Sequence, residues 1–197
     1  PEELDGLTRR FANLLVATQV RGKDAAGAFV VNQEGIRYHK NTGSASKLVR
    51  TPMFWGLMDT IGEDTLGAIG HTRYATTGCP TCNDNNHPII INSLIGVHNG
   101  VLINDEEIRG VYPYEQEVDS AAIFSALDGT SEGTLTAETI GKTLPMMMGD
   151  MAIAVADGRD TNRLFIARDS RRPLFVREET DALWIGSTPE ILSMGLR

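Results

Sequence analysis

Short runs of β-favouring residues, each closed by turn chemistry, constrain the fold of this sequence more than any other feature. Residues 28–31 and 36–39 flank Asn32-Gln33-Glu34-Gly35, whose glycine permits positive φ, so the segment reads as a hairpin. Residues 66–69 and 93–97 are two further apolar runs, separated by a loop rich in Gly, Pro, Asn, Asp and Cys. Residues 151–156, 164–167, 174–176 and 183–185 read as an antiparallel meander, divided by Asp157-Gly158-Arg159-Asp160 and by residues 178–181. Leu4, Leu7, Phe11, Leu14 and Leu15 recur at helical steps and predict a helix over 2–20. Further helices are expected at 52–59, at 119–127 with Asp119 at or near the N-cap, and at 136–144. Hairpin-linked strands with grouped helices predict an α+β fold rather than a doubly wound parallel sheet.

The chain has 197 residues, which suits one substantial domain over 1–197 with no linker, repeat or low-complexity tract. Its hydrophobic content of 41% and its 20 glycines argue against disordered and fibrous classes. A formal net charge of -8, with no basic stretch, repels phosphate backbones and argues against nucleic acid as a direct ligand. The most hydrophobic segment, 146–156, is interrupted by Gly149 and Asp150, so no membrane span is expected. The acidic beginning, PEELDG, lacks the features of a secretory signal, and the expected location is cytoplasmic. Cys79 and Cys82 are too few and too close for a disulfide framework, in keeping with a reducing compartment.

Four polar clusters fall at the predicted strand ends, where functional sites are commonly built. They are Arg21-Gly22-Lys23-Asp24-Ala25-Ala26-Gly27, the run 70–78 reading GHTRYATTG, Asn86-His87-Pro88, and Gly96-Val97-His98-Asn99-Gly100. Singly, each has an ordinary reading, Asn-Gly as a turn and an arginine after a strand as a solvated charge. In this order and spacing they resemble the class II, N-terminal-nucleophile glutamine amidotransferases. The resemblance continues through Asp119, Ala167-Arg168-Asp169 with Pro173-Leu174, and residues 186–190, so it covers nearly the whole chain from Gln19 onward. It implies a four-layer αββα sandwich of two antiparallel sheets, the arrangement of Ntn hydrolases.

The resemblance also implies a chemistry. An N-terminal cysteine thiolate attacks the side-chain amide of L-glutamine, ammonia leaves for a synthase domain or subunit, and water cleaves the thioester to give glutamate. The free α-amino group, with a pKa near neutrality, serves as base for its own nucleophile. The Asn99 amide and the Gly100 N–H match the oxyanion hole, where negative charge develops. Arg73 matches the arginine that takes the α-carboxylate, a task suited to a planar fork of donors. Asp119 matches the carboxylate for the α-ammonium, alongside its reading as a helix N-cap. Tyr74 and His98 join the substrate contacts. Thr76 and Thr77, with the loop running to Cys82 and beyond, correspond to a flexible loop that closes over substrate, with Gly78 as a hinge. Arg21, Asp24, His71 and His87 are expected to brace the pocket, the histidines as structural hydrogen-bonders because the base is already at the amino terminus. No cofactor and no metal are implied.

Two features depart from the family. Position 1 is proline, and no strand of Cys-Gly-Ile type precedes the first helix. The expectation is that the chain begins a few residues late, with the nucleophile just upstream; the rival is a homologue that binds glutamine without hydrolysing it. Neither Cys79 nor Cys82 can replace the nucleophile, since neither carries a free α-amino group. Cys79-Pro80-Thr81-Cys82 has no counterpart in the family's loop. One C-x-x-C with scattered histidines falls short of a four-ligand zinc set, and no helix pattern follows it as in a thioredoxin-like pair. Plain loop thiols are favoured over a metal-binding or redox module. Tyr74 resembles the amidophosphoribosyltransferase branch while the HTR and NHP context resembles the aminosugar branch, which leaves the acceptor open.

Overall fold

The computed structural model describes residues 2–197. The first position, next to which the nucleophile is expected, lies outside the described residues.

The chain opens with α1 (Glu2–Thr18), followed by a single 3-10 turn at Gln19–Arg21, slightly short of the expected helix end. β1 (Ala25–Asn32) and β2 (Gly35–Thr42) form the expected hairpin, with Val31 opposite Ile36 and Gly35 at φ +139°. Two short helices come next, α2 (Ala45–Leu48) and α3 (Pro52–Met58). β3 (Thr65–Arg73) then returns antiparallel to the other edge of β1, giving a sheet ordered β2-β1-β3. The second sheet combines β4 (Ile89–Ile91), β5 (Leu94–Leu102), β6 (Gly149–Asp157) and β7 (Asp160–Arg168), in that order and antiparallel throughout. Between β5 and β6 lie α4 (Asp105–Val111), α5 (Ser120–Thr130) and α6 (Ala137–Thr143). The chain closes with β8 (Phe175–Glu178), β9 (Leu183–Gly186) and α7 (Pro189–Gly195).

Three buried layers stack these elements into the expected αββα sandwich. Phe29 and Val31 of β1 meet Ile95 and Val97 of β5 and Ala154 and Ala156 of β6, joining the sheets face to face. Because β1 is covered on both sides, all eight of its residues are buried and it shows no polar alternation. Its outer face, Ala26, Ala28 and Val30, packs beneath Phe11 and Leu15 of α1, Phe54 of α3 and Leu192 of α7. On the far side, Leu94, Ile153 and Val155 carry Ile123, Phe124 and Leu127 of α5 and Ile140 of α6. Full burial of a side chain such as Phe124 contributes about 2–3 kcal/mol. Gly96 makes that packing possible, since a Cβ there would sit 2.4 Å from the Phe124 ring.

The structure corrects the expected strand map: β4 (Ile89–Ile91) lies inside the stretch expected as loop and pairs with β5, and two further differences follow. The strands at 151–185 are not one meander: β6 and β7 belong to the large sheet, while β8 and β9 pair only with each other in a separate two-stranded sheet. The run expected to end at Val97 continues through His98, Asn99 and Gly100 to Leu102, paired with β6 along its length, so Asn99-Gly100 is strand and not a turn.

Candidate functional site

Where β3 ends, β5 passes and α5 begins, a cavity of about 210 Å³ opens at one end of the sandwich. Arg73, Tyr74, Thr76, Thr77, His98, Asn99, Gly100 and Asp119 all line it, together with Arg21, His71 and His87. Asp24 is not in the wall and stands behind it. Strand parity explains the convergence. Ile69 belongs to the layer between the sheets, and alternation carries His71 and Arg73 to the same face of β3. Thr72 turns the other way and donates to Thr18 O at 2.9 Å. On β5, Asn99 shares the inner face with Val97, while His98 turns towards α5, its Nδ1 2.9 Å from Ser120 Oγ.

Arg73 is only 5% exposed. Its Nη1 donates to Asn86 Oδ1 at 2.7 Å, and its Nη2 donates to the carbonyls of Thr77 and of Gly78, the latter at 3.0 Å. The loop after β3 therefore folds back onto the guanidinium, occupying donors that the expected two-pronged grip on a carboxylate requires. Gly78 sits at φ +69°, and a Cβ there would lie 2.9 Å from Val118 Cγ1, so glycine is needed on both counts. Asp24 steadies the base of the loop: its N donates to Arg73 O at 3.0 Å and its Oδ2 accepts from Ala75 N at 2.8 Å. Tyr74 is 72% exposed and forms only the rim.

Asp119 ties two elements together. Its Oδ2 accepts from Leu102 N at 2.8 Å and its Oδ1 from Ser120 N at 2.9 Å, joining the end of β5 to the start of α5. A carboxylate retains further lone pairs, so the helix-cap reading and a cavity-facing role coexist. Asn99 Oδ1 lies 3.5 Å from Arg21 Nη2, at the outer limit of a hydrogen bond, which leaves the amide nitrogen as the uncommitted end. Gly100 is pressed against β6: a Cβ at this position would sit 1.9 Å from Asp150 O.

His87 and His98 are buried and His71 is half-buried, and His87, expected as a structural hydrogen-bonder, has no partner at either ring nitrogen. His71 Nε2 lies 3.1 Å from His98 O, and its ring rests on that of His87 with centroids 4.0 Å apart. Burial, and then the neighbouring His98, push the His71 pKa down to about 3, and His87 is held well below its ordinary range chiefly by burial. Burial also lowers His98, against the pull of Asp119. Both His98 ring nitrogens are engaged, Nδ1 with Ser120 and Nε2 at 3.4 Å from Asp150 O, so it orients its neighbours instead of offering a free nitrogen to a ligand.

Two residues outside the expected set hold charged groups of the site in place. Asn86 is fully buried, and its Nδ2 donates to Pro80 O at 2.9 Å while its Oδ1 receives Arg73, linking the arginine to the distal loop. Arg172 lines the cavity, with Nε 2.8 Å from Asp150 Oδ2 in a charge contact without a well-directed hydrogen bond. Asp150 in turn accepts from Val101 N at 3.1 Å; burial disfavours its carboxylate, but Arg172 and this bond outweigh that and lower its pKa. The turn that presents Arg172 is pinned by Asp169, which accepts from the backbone N–H groups of Arg171, Arg172 and Met151. In sequence, the charges at 168–172 look like a solvated turn, and only the fold pairs Arg172 with Asp150.

Cys79 and Cys82 are both exposed and unpaired. Among the described residues no group of three or more His, Cys, Asp or Glu is arranged to hold a metal ion, and no helix is long and apolar enough to cross a membrane.

A family model for the glutamine amidotransferase domain matches residues 71–194. The chain is 32% identical over 165 residues to a glutamine–fructose-6-phosphate aminotransferase (isomerizing) of Staphylococcus epidermidis, and 32% identical over 164 residues to one of Geobacillus kaustophilus. Each match covers 80% of this chain and 26% of the relative, so the chain spans about a quarter of the curated relatives it matches. Among solved structures, the glutamine phosphoribosylpyrophosphate amidotransferase of B. subtilis complexed with ADP and GMP superposes with a TM-score of 0.77 at 22% identity, over 95% of this chain and 41% of that one. An allosteric regulatory enzyme of purine biosynthesis superposes with a TM-score of 0.75 at 19% identity, over 96% and 41%. At these identities the superpositions speak for a shared fold.

Proposed function

The chain belongs to the glutamine amidotransferase family, and from that premise we propose that it is a glutaminase domain releasing ammonia from L-glutamine for an acceptor-modifying synthase domain or subunit. The observation that carries this reading is the meeting of Arg73, Asp119, Asn99 and Gly100 in one cavity of about 210 Å³, a size suited to a free amino acid and below that of drug-sized pockets. Glutamine is a zwitterion with an amide at its tip. Arg73 takes its α-carboxylate and Asp119 its α-ammonium, which directs the side-chain amide towards Asn99 and Gly100. There the Asn99 amide and the Gly100 N–H stabilise the oxyanion of the tetrahedral intermediate. Thr76 and Thr77 close over the substrate, and this movement frees Arg73 from the Thr77 and Gly78 carbonyls.

The nucleophile in this proposal is an N-terminal cysteine that is not among the 197 residues, because Cys79 and Cys82 lack the α-amino group that would serve as base. The Asn99 amide and the Gly100 backbone in the cavity wall support hydrolysis over an inert binding role, which has no need of oxyanion donors. The domain works in the cytoplasm beside its ammonia acceptor. The test is glutamate release from L-glutamine by the intact protein. Steady release, with a thioester trapped on the N-terminal cysteine, is expected; an intact protein with that cysteine that releases no glutamate, even with candidate acceptor partners present, ends the enzymatic reading.

A further inference from the structure

Cys79 and Cys82 have no task in glutamine hydrolysis, yet they sit in a loop wired to Arg73. Cys82 N donates to Cys79 O at 3.3 Å, closing a reverse turn with Pro80 and Thr81 at its corners. Proline's fixed φ suits the first corner of such a turn. A turn of this kind keeps its end Cα atoms within about 7 Å, and disulfides span roughly 4.4–6.8 Å between Cα atoms. The turn therefore brings the two residues within reach of closure, while the Cys79 Sγ presently lies 3.0 Å from Thr81 Oγ1. That side-chain bond, with the backbone bonds at Thr81 and Cys82, draws the Cys79 thiol below its ordinary pKa, and exposure leaves it open to attack.

The turn reaches Arg73 by two routes. Pro80 O accepts from Asn86 Nδ2 at 2.9 Å, and Asn86 Oδ1 accepts from Arg73 Nη1 at 2.7 Å. Gly78, next to Cys79, accepts from Arg73 Nη2 at 3.0 Å, while Cys79 N donates to Glu117 Oε2 at 3.1 Å and so anchors the turn close to Asp119.

We propose that Cys79 and Cys82 form a reversible dithiol–disulfide site, oxidised by a low-molecular-weight disulfide, whose state sets how readily the pocket takes glutamine. The Cys79 thiolate attacks one sulfur of the small disulfide and expels a small thiolate, leaving a mixed disulfide on Cys79. The Cys82 thiolate then attacks Cys79 Sγ, closing the intramolecular bond and expelling the second small thiolate. The protein loses two electrons, the small disulfide gains them, and the two thiol protons end on the two released thiols. Closure cross-links the turn in its present place and so holds the Thr77 and Gly78 carbonyls on Arg73. Glutamine's carboxylate must displace those carbonyls, so the oxidised form binds it more weakly. The effect on glutamine rests on the proposed function; the thiol chemistry does not.

The experiment treats the intact protein with oxidised glutathione, removes the excess, and measures the tryptic peptide 74–109, which contains both cysteines, alongside the KM for glutamine. The peptide is expected to be lighter by two hydrogens, KM to rise about tenfold, a typical coupling between sites, and dithiothreitol to reverse both. In a Cys79→Ser/Cys82→Ser double variant the oxidant is expected to leave KM where it was. A peptide unchanged in mass or carrying two glutathionyl groups overturns the site, and an unmoved wild-type KM, or an equal rise in the double variant, overturns its coupling to the pocket. Absence of hydrolysis in the reduced protein would instead refute the glutaminase reading, with glutamine affinity by calorimetry then replacing KM as the second readout.

Discussion

At Arg73 one guanidinium faces two demands. The fold presents it with the carbonyls of Thr77 and Gly78 and the amide of Asn86, and the proposed substrate presents it with a carboxylate. Charge-assisted hydrogen bonds contribute about 1.5–3 kcal/mol each, so Arg73→Ala is expected to weaken glutamine binding roughly 10- to 100-fold or more by calorimetry. Arg73→Lys should fall between, keeping the charge but losing the fork. Unchanged affinity in Arg73→Ala would remove the residue from this role. That Arg73, Asn99, Gly100 and Asp119 line one cavity was legible through the family resemblance: the first three lie inside short motifs whose order along the chain is distinctive, and Asp119 continues that order downstream. Arg172 and Asn86 were not assigned, because what draws them to the site is tertiary: Asp150 on β6 for one, and the carbonyl of Pro80 for the other.

Three segments supply the histidines that floor the cavity: His71 from β3, His87 from the loop before β4, and His98 from β5. Folding holds them neutral, with His71 near 3 and His87 and His98 below their ordinary 6.5, while the unfolded chain protonates them as pH falls through 6.5. Depressed folded-state values mean that this contribution is complete above 6.5 and is lost progressively as pH falls towards 3. Thermal midpoints should therefore decline between pH 6.5 and about 5.5, above the range where most carboxylates titrate. A flat midpoint over that interval would contradict neutral rings. Among the elements, α5 was readable from the capping Asp119 ahead of an apolar run, and the β1–β2 hairpin from its turn chemistry between two apolar runs. The true length of β5 was hidden, since Asn99-Gly100 has the composition of a turn and only pairing with β6 keeps it extended. The helices α2, α4 and α7, four to seven residues long, are not among the expected elements.

On the scale of the molecule, two antiparallel sheets meet face to face through Phe29, Val31, Ile95 and Val97, and the cavity opens at one end of that contact. The sandwich itself follows from the family resemblance; the strand and helix signals alone imply α+β and no more, because period and turn chemistry do not say which strands share a sheet. The separate β8–β9 sheet shows the same limit, its strands looking in sequence like a continuation of β6 and β7. Arg10 of α1 pairs with Glu179 Oε2 at 2.5 Å and with Asp181, tethering that hairpin to the outer helical layer instead. The most direct test of the whole account is a structure of the protein with L-glutamine bound. The α-carboxylate is expected on Arg73, now released from the Thr77 and Gly78 carbonyls, the α-ammonium on Asp119, and the amide oxygen between Asn99 Nδ2 and Gly100 N. Glutamine bound in the reverse sense, or outside this cavity, would contradict it.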